Sequence, residues 1–396
     1  MPQLDFRLVD ADQHYYEPDD CFTRHLEARY RKGAVEVRHD APDGLGRVYL
    51  AGSRLGYFSV SPGDQTGPPG LLKSYFRGDG RAVRLDAQQV HGTSTPEFTK
   101  KDVRLGVLDD HGVEAALMLP SLGLGIEHEA RHDPATWYAL MRAFNRWVEE
   151  DWGYGADGRL FGLPLQSLID VDLAVKELER LIEAGAKGVL LRPGPIYGRS
   201  PADPHLDPFW ARVQEANLLV AYHLSSFGYT ELFSTQWGHP ANTAVHRHTA
   251  FQQLTCMGDR AMADTVGALV LDNLFARFPA LRILIVELGA AWMPRLLRKM
   301  DRVWNSATVR WPGGRPEERP SDIVRQHFWI SPYYEEDFGS IVSAMGERRV
   351  VLGSDFPHPE GLAQPAELLE DLHGFDPAQV RAIMRDNTAE LLGLSR

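Results

Sequence analysis

A chain of 396 residues, 43% hydrophobic and 24% charged with a net charge of −12, can bury a large core and carries no basic run to favour nucleic acid or an anionic membrane. Two cysteines, Cys21 and Cys256, exclude a disulfide framework, a structural zinc site and an iron–sulfur cluster, whereas 15 histidines leave imidazole chemistry open. Met1 to Arg7 carry charge where a signal peptide needs an apolar stretch, and no segment reads as a bilayer span, so a cytoplasmic protein is expected.

The first apolar run leads through Val9 and Asp10 into Ala11-Asp12-Gln13-His14, so a short strand should end on an Asp-x-His pair. Side chains two apart on a strand point the same way, and Asp12 and His14 can grip one cation together; a solvated turn is the alternative. From 34 to 97 the pattern dissolves into Gly, Pro and Ser around Tyr49, Tyr57, Phe58, Tyr75 and Phe76. So long a stretch without helical periodicity reads as an insertion with short strands or as a lid over the site. Its aromatics argue against a disordered excursion.

Regularity returns at Lys101, with helices expected over 101–111, 134–151, 170–184, 209–216, 261–278 and 293–304, and the end of a short one over 341–345. In 134–151, Trp137, Leu140, Phe144 and Trp147 share one face and read as core. Between the helices come apolar runs near 113, 160, 186, 218, 281, 327 and 349. Four of these end on a chemically useful residue: Arg192, His223, Glu287 and, after Val350-Val351-Leu352-Gly353-Ser354, Asp355. Asp355 taken alone could equally cap the following turn.

Eight strands, most followed by a helix, predict an α/β fold of the (β/α)8 TIM barrel type, a single domain over 1–396 with 34–97 inserted between the first strand and the next barrel helix. All the strand ends of such a barrel open on one face. Asp12, His14, Arg192, His223, Glu287 and Asp355 would meet there, which makes a shared metal site the expected reading. His246 and His248 lie in the loop after the fifth strand, and Glu17 follows the first.

The segments 10–18 (Asp-Ala-Asp-Gln-His-Tyr-Tyr-Glu-Pro), His223, 287–294 (Glu-Leu-Gly-Ala-Ala-Trp-Met-Pro) and 353–361 (Gly-Ser-Asp-Phe-Pro-His-Pro-Glu-Gly) together resemble the amidohydrolase superfamily, more narrowly its amidohydrolase-2 branch of metal-dependent hydrolases and decarboxylases. The resemblance covers nearly the whole chain outside the insertion. It implies metal ligands after strands one, five and eight, which map onto Asp12, His14, His223 and Asp355. Two positions depart from it: Asp12 stands where the superfamily's familiar motif has a histidine, and Glu287 where the branch's decarboxylases carry one. Arg192 holds the position of the bridging lysine of dinuclear members, so a second metal would need Glu287 as its bridge, or Glu17 or His248.

These features predict a hydrolase with one or two divalent ions, iron or zinc, two being favoured, in which Asp355 handles the proton of a metal-activated water. Arg192 and His248 would steady the oxyanion or the leaving group. The expected substrate is a small carboxylic-acid derivative with a bulky apolar acyl group, an ester, an amide or a thioester such as an acyl-coenzyme A. The alternative is a decarboxylase of an aromatic or unsaturated acid, and a homodimer is expected.

Overall fold

The computed structural model describes residues 4–64, 66–78, 90–241, 243–244 and 247–395. His246, one of the loop histidines considered above, lies outside these residues, as does part of the inserted segment.

Among the described residues there are ten strands: β1 (Leu8–His14), β2 (Val35–Arg38), β3 (Arg47–Leu50), β4 (Ser53–Arg54), β5 (Val113–Leu119), β6 (Leu160–Gly162), β7 (Gly188–Leu191), β8 (Leu219–Tyr222), β9 (Arg282–Ile285) and β10 (Phe328–Ile330). Parallel pairing runs β1–β5–β6 and β7–β8–β9–β10. The two arcs join where Leu165 bridges Leu190, and they close through residues 350–352, which pair with Ile330 on one side and with β1 on the other. With that segment as the eighth barrel strand, the molecule is a (β/α)8 barrel.

The barrel strands are buried on both faces, as strands between an interior and a ring of helices must be, and outside β1 they are largely apolar. The helices follow the sequence pattern closely. Pro134–Asp151 starts on Asp133, whose side chain accepts from Thr136 N, and its Trp137, Leu140, Phe144 and Trp147 are all buried core. Two differences have local causes. The helix expected over 261–278 is two, Gly258–Leu271 and Leu274–Arg277, parted at Asn273, whose φ of 61° cannot continue a right-handed helix. Pro320–His327 is a helix opened by proline at its first turn, so the next strand begins at Phe328.

The insertion is ordered where it is described. β2, β3 and β4 form an antiparallel sheet, and residues 66–77 lie along the loop that follows the last barrel strand. Leu72 N donates to Pro359 O at 2.8 Å, Lys73 pairs with Glu367 at 2.5 Å and Arg77 with Asp371 at 2.7 Å.

Candidate metal centre

The site begins with a carboxylate that no solvent reaches. Asp10, in the middle of β1, accepts from Ser354 Oγ at 2.6 Å, Ser354 N at 3.0 Å, Gln13 Nε2 at 3.0 Å and Asp12 N at 3.1 Å. Burial pushes its pKa up to about 6 against these four donors. This knot welds the end of β1 to residues 354–356, and Asp355 N to Asp12 O (2.8 Å) and His14 N to Phe356 O (2.7 Å) complete it. Gly353 allows the approach: a Cβ there would stand 2.5 Å from Ser331 Oγ and 2.9 Å from Asp12 Cβ. Behind the knot, fully buried Arg104 donates to His14 O at 2.9 Å and Gln13 Oε1 at 3.3 Å.

In front of it, the barrel brings Asp12, His14, His223 and Glu287 into one buried cluster, with a second group of His14, Glu287, Asp355 and His358 sharing two of its members; the ligand atoms of each group lie within 4.8 Å of one another. The tautomers are set from outside. His14 Nδ1 faces Pro120 O at 3.1 Å and His223 Nδ1 faces Leu224 O at 2.7 Å. A carbonyl only accepts, so each Nδ1 carries its proton and each Nε2 turns a lone pair inward, where the two Nε2 atoms are 3.1 Å apart. Around them stand Asp12 Oδ1 (3.3 Å from His14 Nε2), Asp355 Oδ1 (3.4 Å) and Glu287 Oε2 (3.5 Å, and 2.8 Å from His223 Nε2). Asp12 Oδ1 and Glu287 Oε2 are buried without a properly directed hydrogen bond.

Facing lone pairs ringed by orphaned carboxylate oxygens are a donor set that asks for a cation. With protons alone the same demand appears as shifted titration: burial pulls His223 down, but Glu287 and Asp12 outweigh it and hold the ring at about 10. Burial likewise opposes the Glu287 carboxylate, and His223 and His14 reverse that, leaving it well below the usual range. Asp355 moves the other way, raised by burial and by the charge of Glu287 beside it.

Glu287 and Asp355 share a backbone feature. Both are held at positive φ, 50° and 56°, a conformation costly for a side chain of either kind and concentrated at functional sites. Tyr333 Oη donates to Glu287 O at 2.9 Å and holds the first of them.

Not every residue expected at the site is there. Arg192 points to the rim, where its guanidinium donates to Glu127 Oε1 at 3.0 Å and to the carbonyls of Pro193, Phe227 and Pro195. These contacts place Arg192 with Glu127 and three carbonyls, outside both ligand groups. His248 bonds Thr243 O at 3.1 Å and lines a neighbouring cavity, outside both ligand groups. Glu17 accepts the backbone N–H groups of Ser121, Leu122 and Gly123, so its two oxygens serve a turn rather than a metal.

The sequence reading missed His358. Its Nδ1 is 2.6 Å from Asp355 Oδ1 and its Nε2 2.9 Å from Ser121 Oγ, while its ring lies 4.0 Å from that of His14. Serine, histidine and aspartate in a row suggest an acyl-transfer triad, but the amides of Ser121, Leu122 and Gly123 that would form an oxyanion hole are taken by Glu17. His358 is a brace for Asp355. Its signal was present as Asp355-x-x-His358, legible only once the turn between them is known.

The amidohydrolase family profile matches residues 90–394. An amidohydrolase from Mycobacterium avium subsp. paratuberculosis K-10 is 34% identical, over 99% of this chain and 100% of its own, with a TM-score of 0.89. The 2-amino-3-carboxymuconate-6-semialdehyde decarboxylase of Dictyostelium discoideum is 23% identical over 243 residues, 59% of this chain, and the match spans 60% of that relative's length. A dihydroxybenzoic acid decarboxylase from Polaromonas sp. JS666, solved with manganese and 2-nitroresorcinol bound, shares the fold at 15% identity and a TM-score of 0.60, over 99% of this chain and 98% of its own.

Proposed function

This chain belongs to the amidohydrolase family, and from that premise we propose that it is a metal-dependent decarboxylase of a small aromatic or unsaturated carboxylic acid. What supports this reading most is the occurrence of a decarboxylase among its sequence relatives together with a donor set built for a divalent cation. The decarboxylase reading thus moves ahead of the hydrolytic one that the sequence alone put first.

Asp12, His14, His223 and Asp355 would hold the ion, with Glu287 alongside. When bound, a divalent cation supplies the positive charge that draws in and orients an anionic acid. Oxygen-rich donors with imidazole suit manganese, iron or zinc. A single ion fits better than the pair expected earlier, because both ring nitrogens of His358 are already engaged, by Asp355 and by Ser121.

The chain's own residues account for the proton. Asp12, Glu287 and Asp355 bring three negative charges if all are ionised, one more than a divalent ion neutralises, and an anionic substrate adds another. The site is relieved when one carboxyl keeps a proton, and Asp355, whose Oδ1 is 2.6 Å from His358 Nδ1, is placed to be that one. Decarboxylation needs a proton delivered to the carbon that loses carbon dioxide. Asp355, oriented by His358, holds one at the centre of the site. The 34–97 segment would close over the substrate, since Tyr57 and Phe58 pack against Gly125 on the barrel rim.

Hydrolysis of an ester, thioester or amide remains the second reading, favoured by one feature, the Glu287 carboxylate available to take a proton from water. Elemental analysis followed by a panel of acids and acyl esters separates the two. One ion per chain with release of carbon dioxide is expected; water-dependent acyl cleavage without it returns the protein to the hydrolases.

A further inference from the structure

Glu287 leaves β9 in a conformation its residue type does not favour, at φ 50°, and the chain turns again at Gly289, φ 62°, before the helix Met293–Trp304 begins. Such a turn keeps its shape only while its surroundings over-determine it. Here side chains claim its peptide groups one after another. Tyr333 Oη donates to Glu287 O at 2.9 Å, and Trp292 Nε1 to the carbonyls of Leu288 and Gly289 at 3.0 Å each. Glu336 takes two of the amides that follow, Oε2 accepting from Ala290 N at 2.7 Å and Oε1 from Ala291 N at 2.9 Å.

Two of these three side chains come from one place. Tyr333 and Glu336 lie in the loop after β10, and Glu336 Oε2 also accepts from Tyr333 N at 3.0 Å, so the carboxylate that holds the far end of the turn fixes the residue that holds its near end. The fit is close: a Cβ on Gly289 would stand 2.9 Å from Glu336 Oε1 and 3.0 Å from Tyr333 Cε2. At its root the loop is in register with the barrel, Ser331 N donating to Ile285 O at 2.9 Å. The neighbouring barrel strand thus delivers a template against which residues 287–291 are moulded. What the template aims is the Glu287 carboxylate, whose Oε2 stands 2.8 Å from His223 Nε2 and 3.5 Å from His14 Nε2.

We propose that Tyr333 and Glu336 are positioning residues for Glu287, clamping the 287–291 turn so that its carboxylate meets a divalent ion shared with His14 and His223. The inference rests on the placement of Glu287 beside the ion and is independent of whether the substrate is decarboxylated or hydrolysed. Neither residue belongs to the ligand groups, so each acts through the turn. Without the Tyr333 hydroxyl the Glu287 carbonyl loses its donor, and without one Glu336 oxygen a backbone amide loses its acceptor; either way the strained turn can relax and the carboxylate loses its aim. A merely structural contact would show in melting temperature, whereas a positioning contact shows at the metal.

The test is a cobalt(II) titration of the full chain, read as affinity by competition with a chelator and as the visible spectrum of the bound ion, on the wild type, Tyr333→Phe, Glu336→Gln, Glu287→Gln and the two double variants that include Glu287→Gln. Each single variant should weaken cobalt binding by about tenfold or more and change the spectrum, in the range seen when partners of ligands are removed. With Glu287→Gln already in place, Tyr333→Phe and Glu336→Gln should cost less than about twofold further, because no carboxylate is left to aim. Wild-type affinity and spectrum in both clamp variants, or a loss that adds in full to that of Glu287→Gln, overturns the clamp and leaves Glu287 beside the ion. Wild-type affinity and spectrum in Glu287→Gln removes Glu287 from the ion, and the proposal with it. If Glu336→Gln does not fold, Tyr333→Phe, which removes a single hydroxyl, decides.

Discussion

Asp12 and Asp355 are held from behind by main chain and by a buried carboxyl, whereas the inserted segment is held to the barrel from outside by side chains. At the floor, Asp10 alone receives four hydrogen bonds, and backbone amides tie β1 to residues 354–356. At the roof, Arg77–Asp371 and Lys73–Glu367 are partly exposed ion pairs between flexible side chains, contacts worth roughly 0–1 kcal/mol each. A floor fixed in this way can hold an ion to within tenths of an ångström. A roof fixed in this way can change its residues without disturbing the floor, which is where a shared chemistry and a variable substrate would be expected to part company.

Cutting into the floor gives the largest effect. His223→Ala removes one of two facing Nε2 donors, and we expect loss of bound metal by elemental analysis with activity down at least about a thousandfold. Retention of a full complement of metal would place the ion elsewhere. His358→Asn tests the brace rather than the ligand: metal affinity should drop about 10- to 100-fold with melting temperature little changed, the range seen when partners of ligands are removed. An unchanged affinity would mean that Asp355 needs no bracing.

The roof should respond differently. Replacing Tyr57 and Phe58 together with alanine should raise KM by about tenfold with kcat changed less than threefold and metal content intact. A collapse in melting temperature with normal kinetics would make the segment structural and erase the contrast. Arg77→Ala is the mildest case, expected to shift the melting temperature by less than about 2 °C, as an exposed pair should. A shift of 5 °C or more would show the roof to be fastened as firmly as the floor.

The floor was legible in the sequence to the extent that position alone decides it. Asp12, His14, His223, Glu287 and Asp355 each end a buried apolar run, and a barrel must bring such ends together. Arg192 satisfies the same rule and goes elsewhere, because the rule gives the face of the barrel and not the partner: Glu127, from the short helix Glu127–Ala130, claims the guanidinium first. His358 and Ser121 were hidden because the path from Asp355 to His358 depends on a positive φ that no residue type announces. The sheet of β2, β3 and β4, expected only as short strands somewhere in the insertion, could not be placed for another reason. Its strands are four residues or fewer and carry Glu36, Arg38, Arg47 and Arg54, too short and too polar for a period to emerge.

The seam between β1 and residues 350–358 also governs the order in which the site can come into being. Ser354 and Asp10 are 344 positions apart, so the knot behind the metal joins residues made far apart in time. A chain emerging from the ribosome carries Asp12 and His14 with nothing to close against until residues 354–356 are made, and barrel arcs that form early have a gap where Asp355 belongs. Contacts of such long range are assembled late in folding. Tight metal uptake therefore serves as a receipt for a finished barrel: a half-built or misclosed chain presents loose carboxylates and imidazoles, and only closure of the seam turns them into a site.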